Sequence, residues 1–186
     1  MKKVKKYLEE SKNWKLYKQI LGNDDKYLSA FTHIFYNHPK LILEYGGGTS
    51  TFILSVFLEE LNYGGKIVGF EEIKEWYDYH IEQGFNKYNN IVYVEKMEVE
   101  DDCITYLHDL EPYKDVDFII LDGPDYRQYG DRLGVTLNLQ KFVEYTNREI
   151  PYFIDGRQGC IEYYEKLGYT SEIKDIKGSS NPPQSS

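Results

Sequence analysis

The charge balance of this 186-residue chain narrows what it can bind. With 31 acidic and 22 basic side chains its net charge is −9, which disfavours non-specific binding to nucleic acid or to an anionic membrane. No apolar run approaches the ~20 residues of a membrane span, and the N-terminus lacks the apolar core of a signal peptide, so we expect a cytoplasmic protein with no membrane partner. Cys103 and Cys160 lack metal or redox spacing, and we expect reduced, buried thiols.

Residues 1–39 are predicted to form a helical cap on the fold. Two groups of apolar residues have helical spacing: Val4, Tyr7, Leu8, Trp14, Tyr17, Ile20 and Leu21 in the first, and Tyr27, Leu28, Phe31, Ile34 and Phe35 in the second. Gly22 ends the first group. Asn37-His38-Pro39 ends the second, because the residue before proline avoids the α conformation. We expect these helices to cover one edge or the mouth of a sheet.

From Lys40 onward, predicted strands and helices alternate. The predicted strands span 40–45, 66–70, 91–94, 116–121, 152–154 and 169–176, and the predicted helices span 50–61, 74–88, 103–110, 135–145 and 161–167. This alternation predicts an α/β fold, a Rossmann-like, doubly wound and mostly parallel sheet with helices on both faces. Residues 40–177 would form this domain, and residues 178–186 a disordered tail.

The stretch from Leu41 to Thr51 predicts a nucleotide site. A short apolar strand breaks into three glycines, Gly46 to Gly48, and a helix follows. Glycines let the backbone approach a ligand closely, and a helix start offers unpaired N–H groups and a positive dipole end. Glu44 would repel a pyrophosphate but suits a ligand with an ammonium group. A dinucleotide motif would also need glycine at position 51, where the chain has Thr51, so an NAD site is disfavoured.

Acidic residues fall at the carboxyl ends of four predicted strands: Glu44, Glu71, Asp122 and Asp155. Ligands of doubly wound sheets bind at these ends, where the strand order reverses. The alternative is that short polar residues here only cap strands and helices. Four acidic positions at equivalent ends favour a binding site.

The combined motifs resemble those of class I S-adenosylmethionine-dependent methyltransferases. The resemblance spans roughly residues 40–167 and rests on Glu44-x-Gly46-x-Gly48-x-Ser50, an acidic residue ending the next strand, and Asp117-x-Ile119-x-x-Asp122-Gly123-Pro124. A weaker likeness, through Phe70-Glu71-Glu72 and Asp122-Gly123-Pro124-Asp125-Tyr126, is to methyltransferases that modify glucuronic acid in plant xylan.

The resemblance implies S-adenosyl-L-methionine as the cofactor, and it implies roles for particular residues. Glu44 would neutralise the methionine ammonium directly or through water, Glu71 would accept bonds from the ribose hydroxyls, and Met97 would contact adenine. The implied cofactor-binding set is Glu44, Tyr45, Gly46, Gly47, Gly48, Ser50, Glu71, Glu72, Met97 and Asp122.

Methyl transfer to an alcohol oxygen needs alignment, exclusion of water and a general base. Asp122 is the first candidate base, with Asp125 and Asp155 next. The four histidines stay open as bases, although the predicted helices around His80 and His108 favour packing roles. Asp122 and Asp155 alone are too few to predict a metal site. Three arginines beyond strand ends either bind an anionic substrate or form surface ion pairs: Arg127, Arg132 and Arg157.

The sequence therefore leads us to expect an O-methyltransferase acting on a small molecule or a glycan. The alternative from another class is a non-catalytic, methyltransferase-like subunit that serves as a binding partner or scaffold. The acidic charge and the lack of an added recognition domain disfavour nucleic-acid and protein substrates. The sequence leaves open the acceptor and whether the chain forms a homodimer.

Overall fold

The computed structural model describes residues 1–95, 97–100, 103–124, 135–171 and 173, with the backbone alone for 97–100. The helices in this part of the chain are α1 (Lys2–Glu10), α2 (Trp14–Leu21), α3 (Leu28–Asn37), α4 (Thr49–Leu61), α5 (Lys74–Glu82), α6 (Asn138–Thr146) and α7 (Gln158–Lys166), with a 3₁₀ turn at Glu111–Tyr113. The strands are β1 (Leu41–Tyr45), β2 (Lys66–Glu71), β3 (Ile91–Tyr93), β4 (Met97–Glu100), β5 (Cys103–Tyr106), β6 (Phe118–Leu121), β7 (Val135–Thr136) and β8 (Tyr152–Ile154).

The main sheet has five strands in the order β3-β2-β1-β6-β8, and every neighbouring pair is parallel. The chain moves outward from β1 to β2 and β3, then returns to the other side of β1 with β6 and β8. The order therefore reverses between β1 and β6, which is the point where ligands of such sheets bind. The prediction of an α/β, Rossmann-like, doubly wound fold is confirmed.

Alternate residues of the central strands enter two separate cores, because successive side chains of a strand point to opposite faces. Ile42, Phe118, Ile120 and Phe153 pack with the apolar faces of α1 to α4. Leu43, Ile119, Leu121 and Tyr152 pack on the other face with Leu139, Phe142, Cys160 and Tyr164 from α6 and α7. Helices thus cover both faces of the sheet. Cys103 and Cys160 are both buried, and neither is in a disulfide within the described part of the chain.

The N-terminal helices are attached to α4 through one carboxylate, that of Glu60. Its Oε2 accepts hydrogen bonds from the Ser11 hydroxyl at 2.8 Å, the Asn13 amide at 2.9 Å and the Tyr17 hydroxyl at 2.6 Å. These donors lie at the break between α1 and α2 and on α2 itself. The predicted helical cap therefore packs on the face of the sheet that α4 covers.

Glu60→Ala is expected to lower the free energy of unfolding by about 2 kcal/mol, because it leaves the buried Tyr17 hydroxyl without an acceptor. The matched control is Glu59→Ala, one residue earlier on the exposed side of α4, where a solvent-exposed ion pair with Lys87 and a hydrogen bond from Tyr88 should contribute less than about 1 kcal/mol. Urea denaturation of both variants checks this. Equal losses would show that Glu60 is not a special anchor.

Two of the predicted helices differ clearly from the structure. The predicted helix at 103–110 is the strand β5, which pairs with β4 antiparallel and with β7 parallel in a second sheet. All four β5 residues are buried, so the segment has no polar face for a solvated helix, and strand pairing satisfies its backbone. The predicted helix at 135–145 starts only at Asn138, since Val135 and Thr136 form β7.

The predicted strand at 169–176 is not a strand in its described part, 169–171 and 173. The Tyr152 N–H nevertheless donates to the Ser171 carbonyl at 3.1 Å, and the Ile173 N–H donates to the Tyr152 carbonyl at 2.6 Å. This segment therefore hydrogen-bonds along the outer side of β8. The predicted tail, 178–186, lies outside the described residues. Among the helices that are described, none has the length and apolar character to cross a membrane.

Candidate functional site

A cavity of ≈ 640 Å³ opens at the carboxyl ends of β1, β2, β6 and β8. This is the edge of the sheet where the strand order reverses, as the topology requires of a ligand site. Its wall includes the glycine turn and the start of α4, the ends of β2 and β6, the end of β8, and part of the N-terminal cap: Gly46 to Ser50, Glu71 to Ile73, Asp122, Gly123, Asp155, Arg157, Lys26 and Tyr27. A volume of this size suits a small-molecule ligand.

The backbone N–H groups of the glycine turn are all bonded within the protein. Gly46 and Gly47 both donate to the Phe70 carbonyl, at 2.9 and 2.8 Å. Gly48 donates to the Thr51 hydroxyl oxygen at 3.0 Å. A phosphate-binding turn leaves such groups free to cradle its anion. The turn of this chain is therefore not prepared to hold a diphosphate.

The three glycines are required by contacts inside the protein. A Cβ on Gly46 would lie 2.5 Å from the Gly123 nitrogen, and one on Gly47 would lie 2.6 Å from the Gly69 backbone. A Cβ on Gly48 would overlap the His80 imidazole. In the sequence, the three glycines predict close approach of a ligand. The structure adds a different reason, which is that the ends of β1, β2 and β6 approach each other at the turn.

Glu44 is completely buried and is not part of the cavity wall. Its Oε1 lies 3.2 Å from the Tyr27 hydroxyl oxygen, within hydrogen-bond distance, and its Oε2 accepts a hydrogen bond from Thr51. Burial raises the pKa of Glu44 to about 7, against the opposing effect of hydrogen bonds from Thr51, Ser50 and Tyr27. Tyr27 does line the cavity and contacts this carboxyl group, and the expected interaction of Glu44 with a ligand ammonium, directly or through water, stays a prediction.

Tyr45, which the resemblance placed in the cofactor set, is buried on the opposite face of the sheet. Its hydroxyl is 2.9 Å from Nε2 of His108, and its ring stacks on Phe70 with 5.3 Å between centroids. It is not among the residues that line the cavity. Tyr45 directly follows Glu44 in β1, and successive side chains of a strand point to opposite faces of the sheet. Because Glu44 points toward the N-terminal helices, Tyr45 points away from them.

Glu71 and Glu72 both line the cavity at the end of β2. Glu71 is buried, and its Oε1 accepts the Ile73 N–H at 2.9 Å, which fixes the carboxylate against the turn into α5. Glu72 accepts a hydrogen bond from the Tyr106 hydroxyl at 2.8 Å. Tyr106 lies at the end of β5, so the second sheet supports this side of the cavity.

Asp122 and Asp155 line the cavity next to Arg157. Asp122 Oδ2 accepts the Tyr27 hydroxyl at 2.9 Å, and its Oδ1 lies 4.0 Å from the Arg157 guanidinium. Burial, followed by the charges of Asp155 and Glu44, raises the pKa of Asp122, whereas Arg157 and Tyr27 oppose that rise. These two predicted catalytic carboxylates are brought together at one wall.

Arg157 has a structural task in this wall. Its guanidinium donates to the carbonyl of Asp122 and, at 2.5 Å, to that of Pro124, so it ties the end of β6 to the start of α7. The candidate base Asp125 and the candidate substrate-binding arginines Arg127 and Arg132 lie outside the described residues. Met97 is described only as backbone within β4. The roles expected of these four residues stay predictions.

The cavity also contains residues that the motifs did not indicate, chiefly Tyr27, Trp76 and His80. His80 is 7% exposed, burial lowers its pKa, and its Nδ1 has no hydrogen-bond partner among the described residues. The sequence analysis favoured a packing role for His80. A usable signal was present, since Trp76 and His80 are four residues apart on the helix that follows Glu71 and so share one face.

In the described part of the chain, no group of three or more histidine, cysteine, aspartate or glutamate side chains is arranged to hold a metal ion. No protein-family model matches the sequence, and no curated protein matches it.

Proposed function

We propose that this protein is a class I S-adenosylmethionine-dependent methyltransferase that methylates an oxygen of a small molecule or a glycan. The observation that supports this most directly is a glycine turn at the strand-order reversal whose N–H groups are bonded internally and whose surroundings are acidic. That combination disfavours a dinucleotide and favours a nucleoside with a cationic amino-acid arm.

The charges of the wall fit such a ligand. Four carboxylates line the cavity: Glu71, Glu72, Asp122 and Asp155. The cations in the described wall are Lys26 and Arg157, and the Arg157 guanidinium is bonded to two backbone carbonyls. S-adenosylmethionine has a sulfonium and an ammonium group, both of which this field stabilises, whereas the two phosphates of a dinucleotide would be repelled.

The start of α4 fits the one anionic group of the same ligand. Thr49 and Ser50 lie in the first turn of α4 and line the cavity. The first N–H groups of a helix have no intrahelical acceptor, and the helix dipole is positive there. They suit a single carboxylate, such as that of the methionine arm.

Two of the described wall residues then have tasks that their environments support. Glu71, held by the Ile73 N–H, presents carboxylate oxygens to the ribose hydroxyls. Asp122 is the candidate general base for the acceptor hydroxyl, because it lines the cavity and its carboxylate is held by the Tyr27 hydroxyl beside Arg157. The bound cofactor would supply a methyl carbon activated by the positive sulfur, so the protein mainly aligns the reactants and excludes water.

Isothermal titration calorimetry with S-adenosylhomocysteine tests the proposal without knowledge of the acceptor. Micromolar binding is expected for the unmodified protein, and no measurable heat with NAD⁺. Glu71→Gln should weaken binding roughly tenfold to a hundredfold, because it removes a charge-assisted hydrogen bond to the ribose. Glu82→Gln, an exposed glutamate at the end of α5, is the control and should bind as the unmodified protein does.

Other outcomes would decide against the proposal. Binding of NAD⁺ in place of S-adenosylhomocysteine would indicate a dinucleotide protein. Binding of neither would indicate the scaffold alternative. Equal effects of the Glu71 and Glu82 substitutions would show that Glu71 does not bind the ribose hydroxyls.

A further inference from the structure

Tyr27 places a single hydroxyl group between two carboxyl groups. Its oxygen lies 2.9 Å from Oδ2 of Asp122 and 3.2 Å from Oε1 of Glu44. The residue is 3% exposed, and its ring packs edge-on against Phe153 with 5.2 Å between centroids. Packing thus fixes the hydroxyl between the carboxyl groups.

The two contacts of the Tyr27 hydroxyl indicate that one of the two carboxyl groups, Glu44 or Asp122, is protonated. A tyrosine hydroxyl has one hydrogen, so it can donate fully to only one of two ionised carboxylates. The other carboxylate would then face the lone pairs of the phenol oxygen at hydrogen-bond distance. If one carboxyl group is protonated, it donates to Tyr27 while Tyr27 donates to the other, and both short contacts become hydrogen bonds.

The surroundings indicate which carboxyl group holds that proton. Glu44 has no exposure, and the desolvation of its charged form outweighs the hydrogen bonds from Thr51, Ser50 and Tyr27, which favour ionisation. Asp122 keeps 29% of its side chain exposed and lies 4.0 Å from Arg157. Asp155 adds a negative charge near both. A carboxyl group that is fully desolvated and lacks a cation binds a proton more tightly than one that is hydrated and paired.

We propose that Glu44, Tyr27 and Asp122 form a hydrogen-bonded chain whose one shared proton rests on Glu44, which keeps Asp122 ionised as the base for the acceptor hydroxyl. This inference rests on the proposed methyl transfer. As the acceptor oxygen bonds to the methyl carbon, the carbon–sulfur bond breaks with its electron pair left on sulfur, and the acceptor proton passes to Asp122. Glu44 and Tyr27 are positioning residues, because they act through Asp122.

The test measures where the proton is, on the ligand-free protein. Carboxyl groups of aspartate and glutamate are labelled with ¹³C and titrated by NMR, with Glu44→Gln and Asp122→Asn used to assign the two signals. Glutamine resembles a protonated glutamate, so Glu44→Gln should leave the midpoint of Asp122 within about 0.3 pH units. A fall of about one unit or more, as expected on removing a neighbouring negative charge, would show that Glu44 is ionised and overturn the proposal.

A second variant tests the chain itself. Tyr27→Phe should raise the Asp122 midpoint by about one pH unit, because Asp122 loses the hydrogen bond that stabilises its charge. Tyr17→Phe is the matched control, since Tyr17 is also buried and donates to a carboxylate, Glu60, away from the cavity. Equal effects of the two substitutions, or no effect of Tyr27→Phe, would exclude the chain. If Tyr27→Phe does not fold, the Glu44→Gln titration still decides where the proton lies.

These titrations use no cofactor, so they are independent of the calorimetry. Failure of the proposed function appears as absence of S-adenosylhomocysteine binding with the titrations unchanged. Failure of the inference appears as a displaced Asp122 midpoint in Glu44→Gln while S-adenosylhomocysteine still binds.

Discussion

Replacement of Gly46 by alanine is expected to destabilise the fold by about 3 to 4 kcal/mol, one of the largest effects of any single methyl group in this protein. Two penalties add at this position. The backbone φ of +89° disfavours any side chain, and the new Cβ would lie 2.5 Å from the backbone nitrogen of Gly123. The clashing atom belongs to the backbone at the end of β6, so a change of side-chain rotamer cannot relieve the contact.

Alanine substitutions at two other glycines allow the backbone penalty and the steric penalty to be measured separately. Gly64 has a φ of +83° and open space around its Cβ position, so Gly64→Ala measures backbone strain alone and should cost about 1 kcal/mol. Gly159 lies in α7 with open space and without a positive φ, so Gly159→Ala should stabilise by about 0.5 kcal/mol or slightly more. Urea denaturation of the three variants provides the comparison.

A loss for Gly46→Ala no larger than that for Gly64→Ala would mean that the ends of β1 and β6 do not approach each other as described. The outcome also matters for function. Gly46 and Gly123 both line the cavity, so the same backbone contact that requires glycine also shapes the floor of the candidate site.

The second large effect concerns Glu44 and the pH dependence of stability. Its pKa is about 7 in the folded protein, above the ordinary value of 4.5 that applies to the unfolded chain. The folded state therefore binds a proton more tightly, and this contribution is fully present below about pH 4.5 and is lost as the pH rises through about 7. Between about pH 4.5 and pH 7 the unfolding free energy should fall by about 3 kcal/mol because of Glu44, and this contribution should stay constant at higher pH.

Glu44→Gln should remove the part of the pH dependence that comes from Glu44, since glutamine does not titrate, while the raised pKa of Asp122 keeps its own contribution. The glutamine amide can donate to the Tyr27 hydroxyl oxygen while its carbonyl oxygen accepts from Thr51. Urea denaturation at a series of pH values from 4.5 to 8 should give a flatter curve for the variant than for the unmodified protein. Glu82→Gln, on the exposed surface of α5, should follow the unmodified curve. Parallel curves for Glu44→Gln and the unmodified protein would show that Glu44 titrates normally and is not desolvated.

Both predictions concern residues that the sequence singled out for another reason. The spacing of Glu44 and the glycines indicates a ligand site, and the structure places the glycines at a cavity and Glu44 behind its wall. In the structure, Gly46 and Gly47 are needed for the contact between strand ends, and Glu44 for a buried hydrogen-bond cluster. The shape and charge of the candidate site follow from those internal contacts.

The places where the structure differs from a local pattern, or adds to it, also have a physical cause. The Cys-Ile-Thr-Tyr segment of β5 is too short for its periodicity to distinguish a strand from a helix, and its pairing with β4 and β7 decided the matter. Tyr45 adjoins the glycine motif, yet the alternation of β1 sends its ring into the opposite core. Tyr27, 17 residues before Glu44, belongs to no motif and reaches both carboxyl groups only because α3 packs on the sheet.

The sequence by itself determined the α/β class, most strands of the main sheet, the glycine turn and the acidic residues at the strand ends. These features follow from local periodicity, turn chemistry and charge, each of which is set by residues close together in the chain. Only the tertiary structure decided that Tyr27 joins Glu44 to Asp122, that His80 and Trp76 line the cavity, and that Arg157 binds backbone carbonyls. Those contacts join residues from separate elements, and their distances depend on how the elements pack, which no local pattern specifies.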